Sequence, residues 1–339
     1  MKGIKFGNYH SFNDLHLILS KQTIGTPPPK KETIDIPGGD GVLDVTEFFG
    51  EVKYENRALS FEFTALVPQS QFMDLFSLIQ NALHGQKMTI ALDENPNWYY
   101  IGRIEVSEWK ANKAIGLITI DCDCEPYKHR LTSEAVNLCG TNLLNLDTGI
   151  PVTLHESAWA KTETGYSFTR GSLSGGSFIY FTIPVKKGQQ YIFSADYELT
   201  AQTIYVYKDR LYGTVVGAGN PCVFTAEENG RYLFGLYCSS GVANGTFSNV
   251  MVREGSAKGN FEAYDTTEKE REVTFSNTRK SAVPTAYVTG SMTVESDSVF
   301  VTLAEGKQVL DSFVFYKGNT SLTFKGNGVA VIEWKEGGL

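Results

Sequence analysis

The residues that could do chemistry are thinly spread in this sequence. Cys122 and Cys124 form a Cys-x-Cys pair beside Asp121 and Asp123. On a strand the two thiols share one face and the two carboxylates the other. Two thiolates are half of a structural zinc site, which takes four ligands, and Cys139 follows with no histidine at ligand spacing. Buried thiols in a reducing compartment are the expected state. Five cysteines, sparse and odd in number, also argue against a disulfide framework. The histidines His10, His16, His84, His129 and His155 are scattered, with no HExxH, and no serine sits in a GxSxG elbow. Carboxylate pairs such as Asp121 with Asp123, or Asp40 with Asp44, have the composition of an acid–base site. Among 38 acidic residues such pairs arise by chance, and solvated surface is the expectation. The cluster Gly38 to Gly41 lacks the lysine of a phosphate cradle. No catalytic residue, cofactor or metal ion is expected.

The signal that stands out is aromatic. Tyr205, Tyr207 and Tyr212 lie close together with Lys208, Asp209 and Arg210 between them, and Trp159 sits in a polar stretch read as a loop. Aromatic faces flanked by hydrogen-bonding groups suit pyranose rings, whose C–H faces stack while their hydroxyls need partners. The candidate glycan-binding residues are therefore Trp159, Tyr205, Tyr207, Arg210 and Tyr212. The competing reading is that Tyr205 and Tyr207, alternating with Val206, fill a sandwich core. Both remain open on sequence alone.

These residues must be positioned by short strands. The chain has 339 residues, 33 glycines, 17 tyrosines and 21 phenylalanines, and it shows one convincing helical pattern. That length permits two or three domains, and that composition suits strands joined by tight turns. A net charge of −8 and a pI near 5.3 argue against a nucleic-acid partner. The polar amino end and the lack of any apolar run of about 18 residues predict a soluble chain folded in a cytoplasm, with no membrane insertion.

The stretch 117–131 reads as a strand that ends at Glu125-Pro126, a joint between two bodies. Before it, strands are expected at 4–6, 15–19, 59–66, 87–92, 98–106 and 114–123. One helix is expected over 70–83, with Ser70 as N-cap, Phe72, Leu75, Phe76, Ile79 and Leu83 as its apolar stripe, and Gly85 ending it. The segment 20–33, centred on Pro27-Pro28-Pro29, is an extended arm that cannot be an interior strand. It is either a surface loop or an arm laid against a neighbouring subunit. Residues 136–265 carry short strands at 165–169, 178–183, 190–199, 203–207, 232–238 and 245–254, with Asn244-Gly245 as a hairpin signal, and predict a jelly-roll β-sandwich. Thr266 to Arg271 reads as a charged linker. The tail beyond it returns to alternating strands, among them 299–303, 313–316 and 329–334, enough for a second, smaller sandwich.

Residues 1 to about 132 resemble the N-terminal domain of siphophage distal tail proteins, the Dit family. The matching pieces, in order, are IDIPGGDG from Ile34, NRALSFEF from Asn56, NALHGQK from Asn81, YYIGR from Tyr99 and CEPYK from Cys124. RKSAVPT from Arg279, KGNT from Lys317 and the closing WKEGGL from Trp334 are similar to that family's C-terminal, galectin-like sandwich. Residues 136–265 are additional to short family members. Their ending, FSNVMVREGS from Phe247 and then FEAY from Phe261, is similar to carbohydrate-binding modules of phage tail proteins.

The resemblance implies a mainly β chain in three parts. Residues 1–132 would be an N-terminal α+β ring-forming domain, and 133–135 plus 266–339 a C-terminal galectin-like β-sandwich, interrupted by a jelly-roll insertion at 136–265 with its ends close together. It further implies a structural baseplate hub of a long non-contractile tail, located at the virion tail tip. The partners would be five copies of itself in a homohexameric ring, the tail tube protein, the tail-associated hub protein, a receptor-binding protein and, through the insert, a bacterial cell-surface polysaccharide. A glycan-binding adsorption protein without a hub role is the alternative, and a glycan hydrolase a further rival for which no two carboxylates can be nominated.

Overall fold

Alternation of apolar and polar residues is realised closely. In the strand Arg57–Ala65 every second residue is buried, Leu59, Phe61 and Phe63 among them, while Ala58, Glu62 and Thr64 turn the other way. The computed structural model describes residues 2–48, 50–111, 115–152, 156–297 and 299–339. The fold is mainly β, built from antiparallel sheets, and Phe72–Leu83 is the one α-helix among the described residues. The chain divides into two compact units. One holds residues 1–131, 278–280 and 336–339, and the other holds 132–277 and 281–335.

In the first unit the strands Leu17–Ile24, Arg57–Ala65, Gly116–Cys124, Tyr99–Ala111, Lys87–Leu92 and Ile4–Phe6 pair in that order. Tyr99–Ala111 is shared between neighbours: residues 99–103 pair with Lys87–Leu92 and residues 102–111 with Gly116–Cys124. A register shift between Val106 and Glu108 accompanies the change. Phe6, Phe61, Phe63, Ile118 and Ile120 fill the interior with Ile79 and Leu83 of the helix. The helix buries Phe72, Leu75, Ile79 and Leu83, the expected stripe, and the Phe76 ring stacks 5.2 Å from Trp109. Ser70 is not its cap. Gln69–Gln71 forms a 3-10 turn first, and Gln71 stands at the N-cap with no side-chain hydrogen bond. Gly85 does end the helix, at φ +76°, with its N–H donating to the Ile104 carbonyl at 2.7 Å. Ala114, expected to open a strand, lies outside the described residues, and the strand begins at Gly116.

The proline arm departs from expectation at its start. Ser20 to Ile24 belong to the strand Leu17–Ile24, which lies at a sheet edge where its free side tolerates the prolines that follow. Residues 25–30 then run beside 53–58 of the same unit: Gly25 N–H donates to the Ala58 carbonyl and Glu55 N–H to that of Pro28. Beyond them Thr33–Asp35 and Val42–Asp44 form a separate two-stranded hairpin.

In the second unit, residues 136–265 form two five-stranded sheets. One runs Ile150–Val152, Ser177–Val185, Gly230–Cys238, Gln202–Tyr207, Val215–Ala218. The other runs Ser157–Lys161, Tyr166–Arg170, Asn244–Glu254, Gln190–Asp196, Cys222–Thr225. Phe181, Phe193, Phe234 and Phe247 are among the buried residues of their shared core. Asn244 and Gly245 make no hairpin. They lie within a strand, opposite Thr169 and Phe168, because the chain has just passed from one sheet to the other. The charged segment is only half a linker, since Lys269–Asn277 is a strand paired along Gly318–Gly338. The tail has its own core around Phe275, Phe315, Phe324 and Trp334. Residues 313–316 form no strand there. Phe313 and Phe315 are buried as a loop, with Phe315 bridged to Ala282.

Candidate functional site

Three adjacent strands of the first sandwich sheet place aromatic residues on the face turned away from the core. Ile179, Phe181, Ile204, Val206, Phe234 and Leu236 point inward. Their neighbours Phe178, Tyr180, Tyr205, Tyr207, Leu233 and Tyr237 therefore point outward and form a second apolar cluster. Register sets the pattern. Tyr180 lies opposite Gly235, which lies opposite Tyr205, while Phe178 lies opposite Tyr237. A Cβ at Gly235 would stand 3.4 Å from the Phe178 ring, so the glycine leaves room for that ring to lie across the strands.

Phe178 is the hub of the cluster. Its centroid is 4.4 Å from that of Tyr237, 6.1 Å from Tyr205, 6.3 Å from Tyr207 and 5.4 Å from Tyr212, the last meeting it edge-on at 90°. Tyr212 comes from the loop after Gln202–Tyr207 and is 61% exposed. Its φ of +60° is a left-handed conformation that a non-glycine residue adopts at some cost, of the kind that recurs at binding sites. Tyr205 and Tyr237 are half-buried, and Tyr207 is only 4% exposed.

The hydroxyls converge. Burial pushes the Tyr207 phenol up to about 12, and the Tyr205, Tyr212 and Tyr237 phenols add to the effect. Tyr237 is raised by burial and then by Tyr205 and Tyr212. Among the described residues no hydrogen bond joins these hydroxyls to another protein group. The arrangement is an aromatic platform edged with unused donors and acceptors, suited to a flat ligand rich in hydroxyls. The five cysteines, by contrast, are buried free thiols, and burial pushes Cys124 and Cys139 up to about 12 and Cys222 to about 11.

Of the five residues nominated from the sequence, the structure brings together Tyr205, Tyr207 and Tyr212. Trp159 is not in a polar loop. It lies on the strand Ser157–Lys161 of the other sheet, packs against Phe168 and Phe247, and donates from Nε1 to the Ser177 hydroxyl at 2.8 Å. Arg210 is exposed on the Tyr212 loop and is absent from the groups acting on Tyr207 and Tyr237. Lys208 faces Glu227 and Glu228 at 3.6 and 3.3 Å. Sequence reasoning missed Phe178, Tyr180, Tyr237 and the gap at Gly235. Alternation within each strand places them on one face, but only the strand order places them side by side.

The remaining candidates have structural surroundings. Cys122 and Cys124 face the core and Asp121 and Asp123 the opposite side, as the alternation predicts. His10 meets Asp93 at 3.0 Å, His84 Nδ1 accepts from the Val106 N–H, and buried His129 meets Glu125 at 3.3 Å. His155 lies outside the described residues. Among the described residues no three His, Cys, Asp or Glu side chains are grouped so as to hold a metal ion. No helix of theirs is long and apolar enough to cross a membrane.

No family model matches the sequence, and neither does any curated protein. Among solved structures, the chain is similar to the SPP1 Dit protein, described as a paradigm of the hub adsorption apparatus in phages infecting Gram-positive bacteria. That similarity covers 100% of both chains at 12% identity, with a TM-score of 0.41. Two structures of the phage p2 baseplate in its activated conformation, with Sr and with Ca, are similar over 99% of this chain and 98% of theirs. Their identities are 8% and 7%, and both TM-scores are 0.32.

Proposed function

We propose that the chain is a structural component of a phage tail tip of the distal tail type, and that its insert holds a host cell-surface polysaccharide. The ordered motifs from IDIPGGDG to WKEGGL support the first part. The observation that carries it is the hairpin Thr33–Asp35 with Val42–Asp44, whose apolar side chains stay outside the core. Ile34, Val42 and Leu43 are 55%, 54% and 54% exposed. Several half-exposed β-branched and leucine side chains on one short hairpin are what a contact between subunits leaves on an isolated chain. In this reading the first unit closes a ring of six, in which one patch of each copy meets a different patch of the next. The tail tube protein, the tail-associated hub protein and a receptor-binding protein are the further partners, the role is structural rather than catalytic, and the protein resides in the virion tail tip.

Light scattering after size exclusion, with negative-stain micrographs of the full chain, tests this. An annulus of six copies is the expected result. A monomer at every accessible concentration, with no annulus in micrographs, rules the ring out. The aromatic platform favours a second reading, a glycan-binding adsorption protein with no hub role. Glycan binding by a chain that never assembles would select it.

A further inference from the structure

The glycan-binding reading leaves the chemical class of the saccharide open, and the platform itself speaks to it. Its surface is made by Tyr205, Tyr207, Tyr212 and Tyr237 around Phe178. Two nearby cations are held by other groups, and Arg210, exposed on the Tyr212 loop, is absent from the groups acting on Tyr207 and Tyr237. The Lys208 ammonium lies between Glu227 and Glu228. Arg170, which lies near enough to act on Tyr237, is 7% exposed, and its guanidinium donates to the carbonyls of Gly175, Ser239 and Val242. An anionic sugar would thus lose water against a largely apolar ring face with no cation among the side chains that form the platform. A neutral one loses nothing by the same desolvation and finds several donors and acceptors at once.

We propose, resting on that reading, that the platform takes a neutral hexopyranose polymer. One sugar ring stacks on the exposed Tyr212 ring, and its hydroxyls bond to the converging phenols of Tyr205, Tyr207 and Tyr237. Tyr212 is the positioning element, since its left-handed backbone holds its ring edge-on over Phe178. Tyr207 supplies the most enclosed hydroxyl, which distinguishes a ligand oxygen from bulk water.

The test uses the full chain, with neutral gluco-, galacto- and manno-oligosaccharides in one arm and polygalacturonate and glycerol-phosphate teichoic acid in the other. Binding is followed by calorimetry from about 0.05 M to about 0.5 M NaCl. The expected result is binding in the neutral arm that changes little with salt. Tyr212→Gly suits the positive φ, so it leaves thermal stability unchanged or raised while weakening binding about tenfold or more. Tyr207→Phe keeps the ring and also weakens binding. Binding confined to the anionic arm and lost steeply with salt overturns the proposal while leaving a glycan-binding insert standing. So does neutral binding that both variants retain in full. Binding in neither arm overturns this proposal and the glycan-binding reading together, without touching the ring.

Discussion

Arg170 shows how one side chain holds the loops that frame the platform. It ends the strand Tyr166–Arg170 and is almost wholly buried, yet it pairs with no carboxylate among the described residues. Its Nε donates to the Val242 carbonyl at 2.8 Å, one terminal nitrogen to Gly175 at 2.7 Å, and the other to Ser239 at 2.6 Å. The planar fork meets three carbonyls from two loops at once, which an ammonium cannot do. Arg170→Met is therefore expected to cost about 3 kcal/mol or more in urea unfolding, since charge-assisted bonds are lost and buried carbonyls are left unpaired. Arg170→Lys is expected to recover only part of that. At this scale the sequence was readable where partners are near in the chain. Tyr205, Tyr207 and Tyr212 fall within eight positions and were nominated together. Phe178 and Tyr237 reach them only through the pairing of three strands, and Trp159, read as part of a polar loop, lies on a strand paired to Phe168 and packed on Phe247, which is far from it in sequence.

The elements were readable to the extent that their periodicity is clean. The helix stripe and the alternation of Arg57–Ala65 and Gly116–Cys124 announce themselves, because each buries one face against an apolar core. Strands that begin in charged residues do not. Lys269–Asn277 opens with Lys, Glu, Arg and Glu, and it is a strand because Gly318–Gly338 offers it an edge along its whole length. Just before it, residues 139 and 265 are joined. Asp265 N–H donates to the Cys139 carbonyl at 3.2 Å, and the Asp265 carboxylate accepts from Thr267 and pairs with Lys269 at 2.8 Å. The Lys269 ammonium first, and then the Thr267 donors, hold the Asp265 carboxyl well below the usual carboxylate range. A depressed pKa contributes stability that is present above the unfolded-state value and lost as pH falls toward the folded one. The full chain should thus lose stability below about pH 4. Asp265→Asn should show a shallower fall over that window, measured as the urea midpoint against pH. An unchanged slope would mean that other carboxylates carry the effect.

At the scale of the whole molecule, neither unit is a continuous stretch of chain, and this decides which pieces can be studied alone. The first unit is completed by its last four residues. Buried Glu336 pairs with Arg130, the Gly337 carbonyl accepts from Thr278 Oγ1 at 2.7 Å, and Gly338 lies so close to Trp98 that a Cβ would stand 3.2 Å from the indole. Arg130 also stands over Trp98 at 4.8 Å. Glu336→Ala is expected to cost about 2 kcal/mol, discounted because Arg130 keeps some solvent, and removal of residues 336–339 more than that, both by urea unfolding of the full chain. Residues 136–265 are likewise incomplete alone, since Val329 is buried in their core and Asn229 donates to Glu333 at 2.6 Å. The hairpin is the opposite case. Its Ile34 and Leu43 face each other across the two strands and are half exposed, so they add little to the fold of their own unit. Ile34→Lys with Leu43→Lys is therefore expected to leave the thermal midpoint within about 2 °C of the parent while abolishing the annulus in micrographs. A closed ring in which unlike patches meet adds a stricter requirement. Mixed with the parent chain, the variant keeps its acceptor patch but offers no hairpin, so it can be added to only one end of a growing arc. It should poison ring closure more steeply than in proportion to its share of the mixture, since a closed ring needs every member to offer both patches, read by native mass spectrometry as open arcs replacing the closed species. Rings that form with the double variant alone would place the subunit contact elsewhere on the first unit.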